Sequence, residues 1–130
     1  MPAAGVPVHP ELMRVGGYRP ETAERPAREL LTVAERPTAI FAGNDLTAIQ
    51  TMEVARSLGL RVPEDLSVIG FDNVPESALA CPPLTTIQQP IQQMGAEAVR
   101  MLIDLIEGRE RAPHLRLPTS LVERSSCRAL

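Results

Sequence analysis

The chain has 130 residues and a formal net charge of −3. That length suits one compact domain and excludes two of ordinary size, while the missing basic excess argues against nucleic-acid binding by this chain alone. All thirteen basic residues are arginines, which excludes a phosphate loop ending in Gly-Lys-Ser/Thr and any Schiff-base or lysine acid–base enzyme. A hydrophobic fraction of 44% marks a globular chain, and with Tyr18, Phe41 and Phe71 as its only aromatics the core must be aliphatic. Cys81 and Cys127 have no metal-ligand spacing and read as reduced thiols of a cytosolic protein. No charged and apolar leader opens the sequence, and no apolar run nears a membrane-spanning length. A soluble cytoplasmic protein with no metal, no cofactor and no membrane partner is expected.

In chain order, the proline-rich stretch from Met1 to about residue 11 is an irregular lead-in. A short strand is expected over Leu12 to Val15, closed by Gly16-Gly17. Thr22 is a candidate cap for a helix reaching about Glu35, with apolar positions three and four apart; alternatively that helix begins at Pro26. Pro37 ends it. Thr38 to Ala42 predicts a buried strand, and Asp45 a helix cap for Leu46 to Leu58.

Leu66 to Phe71 is an apolar run without helical spacing, as in a central parallel strand buried on both faces. Pro75 to Leu79 predicts one helical turn, and Leu84 to Ile87 a β-branched strand. Pro90 stands at the first position of a helix ending at Gly108. A last strand is expected near His114 to Leu117, continuing at Leu121-Val122. The alternation predicts an α/β fold: a doubly wound, mostly parallel sheet with helices on both faces.

Ligands of such sheets bind outside the carboxyl ends of the strands. Tyr18, Asn44, Asp45, Asp72, Asn73, Gln88 and Gln89 fall there. Carboxylate, amides and an aromatic ring suit a polyhydroxylated or heteroaromatic small molecule. No nucleophile–base pair accompanies them, so no catalytic residues are assigned. Each residue also has a plainer reading: Asp45 and Asn44 as cap or turn, Asp72 as turn former, Tyr18 as a rim residue, Gln89 as a helix start. Arg109, Arg111 and Arg116 read as solvated surface.

Four segments carry a resemblance. They are Pro37-Thr-Ala-Ile-Phe-Ala-Gly-Asn-Asp45, Gly59-Leu-Arg-Val-Pro-Glu-Asp-Leu-Ser-Val-Ile-Gly-Phe-Asp-Asn73, Pro83-Leu-Thr-Thr-Ile-Gln-Gln-Pro90 with Met94-Gly95, and Leu117-Pro-Thr-Ser-Leu-Val-Glu-Arg-Ser125. In that order and spacing, from Tyr18 to Ser126, the chain resembles the C-terminal half of the effector-binding domain of the lactose/galactose repressor family. Where that family has Ser-Gly after the aromatic, this chain has Thr22-Ala23.

The resemblance implies a periplasmic-binding-protein-like fold, of which residues 1–130 are one partial domain. The DNA-binding domain and N-terminal subdomain would lie outside it. It implies a homodimeric regulator that meets DNA only through that missing domain and senses a sugar or purine-like effector. By motif, Tyr18 resembles the stacking aromatic, Asn44 a polar contact and Asp72 the carboxylate that fixes hydroxyls or ring nitrogens. Gln89 and Ile91 resemble the pocket floor. Ile49 and Glu53, with Leu79 and Ala80 in the segment Glu76 to Ala80, resemble the dimer surface. The alternative is part of a periplasmic sugar-binding protein of an ABC transporter.

Overall fold

A computed structural model describes residues 9–109 and 114–129. Most of the expected lead-in, and Arg111, lie outside them. After a 3-10 turn at Pro10–Leu12 come α1 (Pro20–Leu31), β1 (Ala39–Phe41), α2 (Asp45–Ser57), β2 (Ser67–Asp72), α3 (Pro75–Leu79), β3 (Thr85–Gln88), α4 (Ile91–Ile106) and β4 (Ser120–Val122). The sheet order is β1-β2-β3-β4; β1, β2 and β3 are parallel, and β4 is antiparallel to β3. The α/β class and mostly parallel sheet are as the alternation predicts.

Several expectations need correction. Leu12 to Val15 is not a strand: it is partly 3-10 and then extended, pairing with no strand of the described sheet. The first helix starts at Pro20, where a missing N–H costs nothing. Thr22 is therefore inside it, its hydroxyl donating to Gly16 O at 2.6 Å and Arg19 O at 3.0 Å. Pro26 sits within the helix, and the buried stripe Ala23, Ala27, Leu30 and Leu31 holds α1 together across it. The helix ends at Leu31 rather than Glu35, and the Thr32 hydroxyl folds back onto Arg28 O. Residues 114–119 form no strand, and β4 is confined to Ser120–Val122.

The core is aliphatic, as so few aromatics require. Ala27, Leu31, Ala42, Ala48, Met52, Val54, Ala55, Leu66, Val68 and Leu84 form one buried cluster. β2 alternates between buried Val68 and Gly70 and half-buried Ser67, Ile69 and Phe71, so the burial expected on both faces is met on one. On the other, Phe71 meets Phe41 edge to face at 6.4 Å between centroids. β1 is also more open than expected, with Ala39 and Phe41 exposed and Ile40 half-buried. α4 has no buried residue despite a strongly amphipathic sequence, and leaves Leu102, Ile103, Leu105 and Ile106 exposed.

Two local devices complete the sheet. Ser126, fully buried, stands beside β2 just before β3 begins. Its hydroxyl donates to Val68 O at 2.6 Å and accepts from the Thr85 N–H at 2.8 Å, and its carbonyl accepts from the Val68 N–H. Ahead of β2, the Arg61 guanidinium and backbone N–H hold the Asp65 carboxyl well below the usual carboxylate range.

Ser126→Ala strands the buried Thr85 N–H and should cost about 1–3 kcal/mol in urea unfolding. Because the Asp65 value is depressed in the folded state, its stabilisation is fully present above the unfolded value of about 4 and lost as pH falls through the folded value. The protection factors of the Asp65 and Leu66 amides, corrected for intrinsic exchange, should therefore hold steady through mildly acidic pH and fall only in strong acid. In Asp65→Asn that acid dependence should vanish.

Candidate ligand site at the strand ends

Between β1 and α2 the chain reads Ala42-Gly-Asn-Asp45. Asn44 is extended and caps α2, its Oδ1 accepting from the Thr47 N–H at 2.9 Å. Its Nδ2 donates to Tyr18 O at 3.0 Å. Asp45, expected as the cap, is instead the first helical residue and fully buried. One carboxylate oxygen accepts from the Val74 N–H at 2.9 Å and the other from the Thr86 hydroxyl in a short bond. A carboxylate inside the first turn is also favoured by the helix dipole. Its space is supplied by Gly70, where a Cβ would lie 2.2 Å from Asp45 Oδ1 and 2.9 Å from Leu84 Cδ2.

The turn after β2 is held in an uncommon backbone. Asp72 and Asn73 have φ of 115° and 60°, and Tyr18 has 57°; these are the non-glycine residues with positive φ among those described. Asp72 ends β2 and Asn73 follows it, while Tyr18 follows the extended stretch after the 3-10 turn. Such conformations cost of order 1–3 kcal/mol each and persist only where the surroundings impose them.

The surroundings here are polar. Gln89 Nε2 donates to Asp72 Oδ1 at 2.6 Å, and Asn73 Nδ2 to Gln88 Oε1 at 3.3 Å. Arg124 donates from Nη2 to Asn73 Oδ1 at 2.7 Å, and from Nη1 to Ser77 Oγ at 3.0 Å and Leu84 O at 2.7 Å. This arginine escaped the sequence reading, although it lies in the Leu117–Ser125 segment. Its guanidinium braces the neighbour of Asp72, and among the described residues no arginine pairs with the Asp72 carboxylate.

The predicted site residues thus fall into two joined pairs. Tyr18 and Asn44 share a hydrogen bond, as do Asp72 and Gln89, and Asp45 ties the two halves through Val74. Tyr18 is 70% exposed, with its ring against Gly43, where a Cβ would lie 3.2 Å from Cε1. Asp72 is half-buried and its second oxygen accepts nothing among the described residues. Ile91 stands exposed at the first position of α4. A groove of about 250 Å³ takes in Tyr18 and Thr47, and another of about 380 Å³ takes in Gln89 and Met94, with Asp72 in neither. The site is an open ledge carrying an aromatic ring, a carboxylate and amides.

Of the residues expected at a dimer surface, Leu79 is 83% exposed and Glu53 pairs with Arg56 at 2.8 Å. Ile49 and Ala80 are half-buried against the core. Among the described residues no group of three or more His, Cys, Asp or Glu could hold a metal ion. None of their helices is long and apolar enough to cross a membrane.

The Asp45 bonds can be weighed directly. Asp45→Ala and Thr86→Val should each cost about 1–3 kcal/mol, and the double variant should fall short of their sum by at least about 0.5 kcal/mol in urea unfolding. Additive losses would mean the two side chains do not depend on each other.

Comparison with known proteins gives a consistent result. A model of the periplasmic binding protein-like domain matches residues 1–127. The HTH-type transcriptional repressors PurR of Yersinia pestis (strain Pestoides F) and Yersinia pseudotuberculosis serotype O:1b (strain IP 31758) are 41% identical over 124 residues, covering 95% of this chain and 36% of theirs. Among solved structures, the transcriptional regulator CelR–cellobiose complex is similar with a TM-score of 0.89 and 38% identity, over 95% of this chain and 38% of that one. The Lac repressor dimer bound to operator and the anti-inducer ONPF gives 0.81 and 33%, over 86% of this chain and 39% of that one. The chain therefore spans little more than a third of the length of these relatives.

Proposed function

The chain belongs to the periplasmic binding protein-like domain family, and from that premise we propose that it is the effector-sensing and dimerisation portion of a bacterial transcription regulator of the lactose/galactose repressor type. The effector is a small polar molecule, a sugar or a nucleoside or purine, and operator binding belongs to a DNA-binding domain elsewhere in the regulator. The observation that carries this reading is Asp72. It closes a parallel strand with one oxygen held by Gln89 and the other free to accept a hydroxyl or ring N–H. Tyr18 supplies an exposed apolar face, Asn44 the polar contact beside it, and Gln89 and Ile91 the floor.

An open ledge binds weakly because it buries too little of a ligand; a second lobe must close over it. Effector then shifts an equilibrium between two arrangements of the whole protein, which requires that it bind one of them better. The reading places the protein in the cytoplasm and assigns it no enzymatic step. Repressor relatives favour it over the transporter component. The same reading sets the dimer surface along Ile49 and Glu53 of α2 and Leu79 and Ala80 at the end of α3, with the Leu79 side chain as its apolar anchor.

In a full-length version, Asp72→Ala should abolish the response to effector and leave operator affinity unchanged in gel-shift titrations. A surviving response would make Asp72 a turn residue only. The chain alone should give no calorimetric signal with cellobiose or free purine bases at micromolar concentration; tight binding would show the second lobe to be dispensable. Leu79→Asp should shift sedimentation from dimer to monomer and remove the rise of the thermal midpoint with protein concentration.

A further inference from the structure

Tyr18 presents its ring from a backbone that tyrosine resists. Gly17 and Tyr18 are consecutive left-handed residues, with φ of 68° and 57°. Glycine adopts that region freely, whereas a tyrosine meets a steric penalty there and keeps the conformation only where its neighbours impose it. Packing of the ring does little of the imposing, since Tyr18 is 70% exposed.

The imposing contacts are polar and come from two sides. In the first turn of α1 the Arg19 carbonyl already accepts from the Thr22 and Ala23 N–H groups at 3.2 and 3.1 Å. The proton of the Thr22 hydroxyl therefore belongs to the shorter of its two contacts, Gly16 O at 2.6 Å, rather than to Arg19 O at 3.0 Å. That bond ties Gly16 to the helix and closes a turn with Tyr18 inside it. The room for it comes from Gly17, where a Cβ would lie 2.6 Å from Thr22 Oγ1. From the other side Asn44 Nδ2 donates one N–H to Tyr18 O, while Asn44 Oδ1 is occupied by the Thr47 N–H. Held in this way, the ring rests on Gly43, where a Cβ would lie 3.2 Å from Cε1 and 3.9 Å from Cδ1 and Cζ.

We propose that Thr22 is a positioning residue for effector recognition: its hydroxyl closes the turn that keeps Tyr18 left-handed and so fixes where the ring stands on the ledge. Thr22 itself touches no ligand. The proposal rests on the reading of Tyr18 as the face on which the effector stacks, and adds the contact that aims it. Thr22 is exposed, and α1 is anchored without it by Ala23, Ala27, Leu30 and Leu31. Loss of the hydroxyl therefore frees the ring without loosening the fold.

The test is made by NMR on the chain as it stands and needs no ligand. The Tyr18 ring current displaces the Gly43 α-proton resonances, and Tyr18→Leu supplies the baseline without it. Thr22→Val, which keeps the shape and removes the hydroxyl, should abolish at least half of that displacement. It should also lower the Tyr18 backbone order parameter from about 0.85 to below about 0.6. Thr22→Ser restores the hydroxyl and should keep both near their original values. Amide protection in β2 should be the same in all of these variants. Survival of the full displacement in Thr22→Val would overturn the proposal. An equal loss in Thr22→Ser would do so as well, because the methyl group and not the hydroxyl would then hold the turn. Loss of β2 protection in Thr22→Val would also count against it, since Thr22 would then support the whole fold. A turn that fails these measurements leaves the effector reading in place. A regulator that still responds after Asp72→Ala would remove that reading without altering the Gly43 resonances.

Discussion

The buried carboxylate of Asp45 organises this molecule. Removing a carboxylate from water is costly unless hydrogen bonds replace the lost hydration. Here a backbone N–H from the turn after β2, a hydroxyl from β3 and the first turn of α2 replace it. One side chain thereby sets the relative positions of three structural elements. The arrangement works only because Gly70 leaves the room a methyl group would take.

The ledge built on this joint is preorganised. Asp72 and Asn73 adopt backbone angles that neither residue favours, and Arg124, Gln88 and Gln89 hold them there. For the proposed effector, this means that the loop carrying Asp72 is ordered before binding, which would remove part of the entropic cost. Arg124 reaches β3, α3 and the Asn73 turn at once, so the C-terminal segment acts as a clamp on the site rather than as a trailing end.

Much of this was legible beforehand because hydrophobic periodicity and turn residues are local signals. The α2, β2, α3 and β3 segments lie within a residue or so of where the pattern puts them. The exchange of roles between Asn44 and Asp45 was not legible. Both are good cap residues, and only Gly70 and Thr86, distant in sequence, decide which one is buried. Arg124 was missed for the same reason, since its partners come from three other elements. Leu12 to Val15 carries a strand-like pattern, but a strand is defined by its partner, and none lies beside it among the described residues. Thr22 lost its capping role to Pro20 because a proline in the first turn starts a helix without a side-chain cap.

Helix α4 has a thermodynamic consequence of its own. It is 16 residues long with no buried side chain, near the length at which an isolated helix is marginal in water. Its melting is thus weakly coupled to that of the sheet, and calorimetry of the chain alone would show a van't Hoff enthalpy below the calorimetric one. Cooperativity across the whole chain requires something to cover that helix.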